Sequence, residues 1–251
     1  MSVPRFTETT ILHAAPGCLL LVTILLAGAR PSDAEFEPPR VIYVANPQGA
    51  GTSNAVSRMY CIDKGLESSI NMGDVLNVYR EKRAIRGGPA VRVLIGTMRI
   101  QHAEPSFALG HFTASEAASA SPSIRHLTPM KSDIVVPVEA IDSGVLFDPG
   151  RMSLKPDAAT VFQKVADFVD QYAPDRLVIE GHTDSDGDAG TNQELSEARA
   201  EAVRQYLIET YDFITPAMVE SRGFGGGRPM VPNDTPENKA LNQRIEVIVW
   251  D

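Results

Sequence analysis

The sequence predicts an α/β (α+β) sandwich over residues 134–251, a βαβαβ-type mixed sheet with helices packed on it, preceded by a small all-β module over residues 40–112. Two patterns predict it. In the C-terminal half, strand-like and helix-like periodicities alternate, and helices of this length bury their apolar stripes on a shared sheet. In the N-terminal half, short β-type runs are punctuated by glycine and proline, as in a compact all-β unit or small barrel.

Each element follows from local spacing. The β-type runs of the first module are 41–44, 75–79, 91–95 and 107–112, separated by Pro47, Gly73, Gly87, Gly88, Pro89 and Gly96. Residues 113–132 read as an Ala/Ser-rich linker whose small side chains cannot nucleate a core. Residues 138–147 read as a strand. Ala158, Val161, Val165, Phe168 and Tyr172 then recur at helical spacing through 155–172. A strand is predicted at 177–179, and helical spacing returns with Leu195, Ala198, Ala202, Val203, Tyr206 and Leu207. Two last strands are predicted at 218–224 and 245–249.

The formal net charge of −9 excludes sequence-independent nucleic-acid binding, which needs a basic surface to neutralise phosphates. Residues 1–34 read as a signal peptide or an N-terminal anchor. Arg5 precedes the 12-residue apolar run 18–29, short against the ~20 residues of a membrane span. Ala27-Gly28-Ala29 and Ser32-Asp33-Ala34 offer small-residue cleavage sites. An anchor beginning near Ile11 would enclose His13, Pro16 and Gly17. With Cys18 removed, Cys61 is the remaining thiol; it cannot form an internal bridge and suits a small buried apolar position.

The informative stretch joins a strand to a helix through a polar loop, 181–200. Thr191 and Glu194 have capping-box spacing, so the helix is predicted to start near Asn192. Arg199 then lies one turn beyond Leu195, along the edge of the apolar stripe, where a cation needs an anionic partner. Asp184 lies in the loop leading into this helix, placed so that a folded-back loop brings carboxylate and guanidinium together.

The pattern Thr-Asp-x-x-Gly-x-x-x-x-Asn-x-x-Leu-Ser-x-x-Arg-Ala is met at Thr183, Asp184, Gly187, Asn192, Leu195, Ser196, Arg199 and Ala200. A second block follows: Gly223-Phe224-Gly225, Pro229, Asn233-Asp234-Thr235-Pro236 and Asn242-Gln243-Arg244-Ile245-Glu246. Together they resemble the outer-membrane-protein-A-like C-terminal domain. Thr191 and Gln243 depart from that pattern, standing where an aromatic residue and an arginine are common. The resemblance implies a non-catalytic cell-envelope protein that binds peptidoglycan through the meso-diaminopimelate of its stem peptides. It implies ligand contacts from Asp184, Arg199, Thr183, Leu195, Asn242 and Arg244, with Asp184 accepting from the ligand's ammonium and Arg199 gripping its carboxylate. The 40–112 module would then face an envelope protein partner.

Other readings are weaker. Asp184, Asp186 and Asp188 begin like a calcium loop, but Ala189 and Leu195 occupy the positions that need Gly and Glu. The glycines near 225 lack the strand–turn–helix frame of a dinucleotide site. No cofactor or metal is expected. A wall-targeted hydrolase would need catalytic groups within 40–112, where His102 and His111 form no recognised set. A stator-like transporter would need a membrane-buried acid, and 11–30 contains none. The export reading makes one prediction. N-terminal sequencing of the exported protein should find Arg30 or Glu35 first; an intact N-terminus in carbonate-resistant membranes would establish the anchor.

Overall fold

The computed structural model describes residues 36–45, 58–83, 90–115, 118, 124 and 126–250. The signal or anchor assigned to 1–34 lies outside the described residues, and among these no helix is long and apolar enough to cross a membrane. The strands are β1 (Val41–Ala45), β2 (Met59–Ile62), β3 (Val75–Arg83), β4 (Ala90–Ala103), β5 (Ala108–Ala114), β6 (Ile134–Asp142), β7 (Arg176–Gly181), β8 (Val219–Gly223) and β9 (Arg244–Trp250). They form one sheet in the order β1-β2-β5-β4-β3-β6-β9-β7-β8. Only β7 and β8 pair in parallel; the other pairings are antiparallel.

The first six strands curl into a ring. An antiparallel bridge joins Arg40 to Ile134. Backbone bonds from Val41 N to Asp133 O (2.9 Å) and from Val135 N to Pro39 O (2.8 Å) complete the closure. Closing a barrel removes the unpaired edge that an isolated β-sheet exposes. Ile62, Leu76, Val78, Ile95, Met98 and Ile100 fill it. At the closure, Arg80 grips Asp133 through Nη2–Oδ2 (2.6 Å) and Nε–Oδ1 (3.1 Å), and it also donates to the carbonyls of His126 and Thr128. Parts of the expected linker join this module. Thr113 and Ala114 finish β5, while Ala118, Ile124 and Leu127 pack on the barrel core. Their few apolar side chains suffice because a core already exists for them to cover.

β6 belongs to both halves. Its first residues, up to Pro137, pair with β3, and Val138 to Asp142 pair with β9. Pro137, which has no N–H to donate, stands at the change of partner. The strand expected over 138–147 thus begins earlier and ends at Asp142, whose Oδ1 accepts from Gly144 N (2.7 Å) and caps the short helix α1 (Ser143–Leu146). Helices α2 (Ala159–Tyr172) and α3 (Ala189–Thr210) lie near their predicted places. Both cover one face of β6-β9-β7-β8 with Phe162, Val165, Val169, Val203 and Leu207. Besides α1, which lies inside the expected strand, two elements escape the sequence reading: β2, only four residues long, and α4 (Pro236–Asn242), capped by Thr235 with proline in its first turn.

The opposite face of that sheet is apolar too. Ile134, Val136, Val178 and Ile248 are buried there beneath Tyr79 and Leu94 of the barrel. Tyr79 meets Trp250 edge-on at 5.0 Å. Residues 35–251 accordingly form one compact unit. A fragment starting at residue 131 would strip this cover and the barrel half of β6's pairing. It should melt at a lower temperature than the 35–251 chain and bind the dye ANS. Equal melting temperatures would show that the barrel contributes nothing to the C-terminal half.

Candidate functional site

The loop after β7 and the first turns of α3 are held together by close backbone approach. A Cβ on Gly181 would fall 2.2 Å from Ser196 O, so glycine is required where β7 runs under α3. Gly187 takes φ +87°, a conformation costly to other residues. The helix starts three residues earlier than Asn192. Asp188 is the cap: its Oδ1 accepts from Thr191 N (2.9 Å) and from Thr191 Oγ1 (3.1 Å). A charged acceptor at that position displaces the predicted box, and Thr191 becomes a donor to the cap.

Arg199 is 4% exposed. Its Nε donates to Arg151 O (2.9 Å) and Nη2 to Asp148 O (3.3 Å), while the guanidinium lies over the Phe147 ring at 5.0 Å. Burial alone acts on its pKa, pulling it below the usual arginine range. Among the described residues no carboxylate pairs with it. Asp184 is also buried. Its Oδ1 accepts from Asp186 N (2.9 Å) and its Oδ2 from Gln243 Nε2 (2.5 Å). Asp184 and Arg199 therefore do not form the direct ion pair that a purely structural role would require. Among the described residues, one is a cation held by carbonyls and an aromatic ring, the other an anion held by amides.

The other expected contacts fall into two groups. Thr183 N donates to Gly225 O (2.9 Å) and its Oγ1 to Asp184 O (2.9 Å), fixing the loop from within. Leu195 is half-buried on α3. Asn242 and Arg244 are turned inward. Asn242, fully buried, accepts from Met230 N (2.8 Å) and Val231 N (3.1 Å) and donates to Val231 O (2.8 Å). Arg244 donates from Nε to Glu246 Oε1 (2.7 Å). Gln243, which sequence reasoning set aside, is the residue that touches Asp184.

A family model for the OmpA family matches residues 146–243, the span from α1 to the end of α4. Residues 146–243 are an OmpA family domain. The chain is 37% identical over 115 residues to outer membrane porin F of Pseudomonas aeruginosa, covering 46% of this chain and 33% of that one. It is 37% identical over 109 residues to the outer-membrane lipoprotein YfiB of the same organism, covering 43% and 64%. The peptidoglycan-binding protein ArfA of Mycobacterium bovis is 31% identical over 119 residues, covering 47% and 36%. The chain thus spans between 33% and 64% of the length of these relatives.

Behind the loop, the C-terminal half holds a buried charged cluster that periodicity did not single out. Glu180 and Glu246 sit among apolar strand residues, on the face with Val178 and Ile248, and that alternation was the available signal. Glu180 Oε2 lies 3.7 Å from His182 Nε2 and 3.4 Å from Arg228 Nη1. Among the described residues neither ring nitrogen of His182 meets a hydrogen-bond partner; the ring stacks on Phe224 at 5.6 Å. Glu180, His182 and Glu246 bring three metal-type ligand atoms within 4.8 Å of one another. However, Arg244 already engages Glu246 and Arg228 stands beside Glu180, so two guanidinium charges match the two carboxylates. The cluster is an ion-pair net rather than a vacant cation cage.

Burial pushes Glu180 up to about 7, with the Arg228 charge opposing it. Burial, reinforced by the Arg244 charge, pulls His182 down to about 3. The two act oppositely on stability. Glu180 favours the folded state below its ordinary pKa of 4.5, and that contribution fades as pH rises to about 7, because the unfolded chain ionises first. His182 costs stability as pH falls from 6.5 towards 3, because the unfolded chain takes up the proton first. Replacing Glu180→Gln should remove the first effect and leave the second. In urea titrations across this range, the variant should gain on the natural protein by on the order of 2 kcal/mol between pH 4.5 and 7. Parallel curves would mean that Glu180 titrates alike in the folded and unfolded chain.

Proposed function

We propose that this is a non-catalytic, exported envelope protein that binds peptidoglycan non-covalently, reading the meso-diaminopimelate of the stem peptides with Asp184 and Arg199. One observation carries the reading. Among the described residues Arg199 is a buried guanidinium with no carboxylate partner, and an unpaired buried charge costs several kcal/mol unless a ligand neutralises it. The free end of diaminopimelate is an amino acid, with ammonium and carboxylate on a single carbon. A site for it needs an acid and a base held near each other but not joined. Asp184, fixed by Gln243 and the Asp186 amide, supplies the acid. Arg199, tethered by the Arg151 and Asp148 carbonyls, supplies the base with a two-pronged donor.

The name of the Mycobacterium bovis relative, a peptidoglycan-binding protein, supports the ligand class, and the names of the Pseudomonas relatives support a place at the envelope. The protein would lie in the periplasm against the wall, its N-terminal barrel available to an envelope protein partner. Each charge-assisted bond contributes ~1.5–3 kcal/mol. Single stems would be held weakly, and retention would come from the many stems of the wall.

Asp184→Ala and Arg199→Ala should each weaken co-sedimentation with purified peptidoglycan by ~10-fold or more. The cap at Asp188 is untouched by the second change, so that variant should remain folded in thermal melts. Folded Arg199→Ala protein that pellets with the wall like the natural protein would end this assignment.

A further inference from the structure

We propose that Asn77, on barrel strand β3, is a positioning residue for the wall-binding site, so that the barrel is part of the binding apparatus rather than a passenger on it. The inference rests on the reading that Asp184 and Arg199 bind the stem peptide. It starts from a buried path of hydrogen bonds running from the barrel to Asp184.

Asn77 is 2% exposed. Its Nδ2 donates to Glu246 Oε2 at 3.0 Å, across the junction between β3 and β9. The other oxygen, Oε1, accepts from Arg244 Nε at 2.7 Å. Arg244 then spreads its remaining donors over two segments beside the ligand loop, Nη1 to Asn242 O and Nη2 to Arg228 O, each at 3.3 Å. These carbonyls end α4 and enter the 228–231 loop, which Asn242 ties together through Met230 N and Val231 N. Gln243 lies between Asn242 and Arg244, and its amide holds Asp184 Oδ2. From the other side, His182 N donates to Arg244 O (2.9 Å), so Arg244 also fixes the strand end that leads into Thr183 and Asp184.

The barrel wall presses on the same loop. Gly96, Thr97 and Thr113 face Pro229 and Met230 across a cavity of about 20 Å³, room for one water at most. Glu246 is buried, so each of its oxygens needs a donor. Without the Asn77 amide, Oε2 loses that donor, and Arg244, already bound to Oε1, can turn to take both. A guanidinium satisfying both oxygens bidentately would let go of the Arg228 and Asn242 carbonyls. Gln243 and Asp184 would then lose their fixed geometry, although neither touches the barrel.

The test uses the full chain and purified peptidoglycan. Asn77→Leu removes the donor while keeping the branching at Cγ. Ile100→Ala, in the barrel core away from the junction, serves as a control that lowers stability without touching the path. Under conditions where near-ultraviolet circular dichroism shows all proteins folded, Asn77→Leu should bind about 3- to 10-fold more weakly, and Ile100→Ala like the natural protein. Asn77→Asp adds a pH readout. The introduced carboxyl faces Glu246, with Tyr79 on its own strand, Glu180 and His182 from β7 and the loop that follows it, and Arg244 and Arg228 beyond. Protonated, it donates to Glu246 as asparagine does; ionised, it repels it. Its affinity relative to the natural protein should recover as pH falls and drop as pH rises, which a packing defect would not produce. If Asn77→Leu does not fold, this pH dependence decides alone.

A pH-independent ratio, or Asn77→Leu binding no worse than Ile100→Ala, would overturn the proposal. Arg199→Ala, run alongside, separates the two levels. If it loses binding while the Asn77 variants keep it, only the positioning role fails. If it binds normally, the reading of the site falls and this inference with it.

Discussion

The pairing of Arg244 with Glu246 at the back of the sheet is the interaction on which the rest of the molecule turns. Both side chains are nearly inaccessible to water, and such a pair is tolerated only when every remaining donor and acceptor is satisfied. That requirement recruits partners from three directions: an asparagine from the barrel, the carbonyl of Asn242 at the end of α4, and the carbonyl of Arg228. The hydrogen bonds that satisfy the pair also fix the spatial relation of barrel, sheet and ligand loop. Replacing the pair with apolar residues could preserve stability while losing that registration.

The candidate site works by the opposite rule. Arg199 and Asp184 are buried yet left without each other, each held by neutral groups of its own surroundings. Charges kept apart in this way are costly in the free protein and complementary to a ligand carrying both signs on a single carbon. The two designs lie close together, linked through Gln243 and the backbone of His182. The saturated pair provides rigidity, and the unsaturated one is the pair proposed to recognise the ligand.

Much of this was legible in the sequence. The α2 and α3 stripes, the strand ending at Gly181 and the Asp184–Arg199 spacing follow from periodicity and motif, because each depends on residues close along the chain. The shared strand β6 was not legible, since its change of partner at Pro137 depends on residues from 75 to 248 meeting in space. Helix α4 was too short for periodicity to register. The inward turn of Asn242 and Arg244 was also invisible: a motif gives residue types but not which way they face. Glu180 and Glu246 left only a faint trace, as acids alternating with apolar residues in strands.

The central claim is that the site reads both charges of diaminopimelate, and titration calorimetry with a soluble stem peptide tests it most directly. A peptide ending its side chain in the diaminopimelate amino acid should bind with one-to-one stoichiometry. Its counterpart with lysine at that position keeps the ammonium but lacks the carboxylate, and should give no measurable heat of binding. Equal binding of the two peptides would show that Arg199 does not grip a ligand carboxylate and would contradict the account.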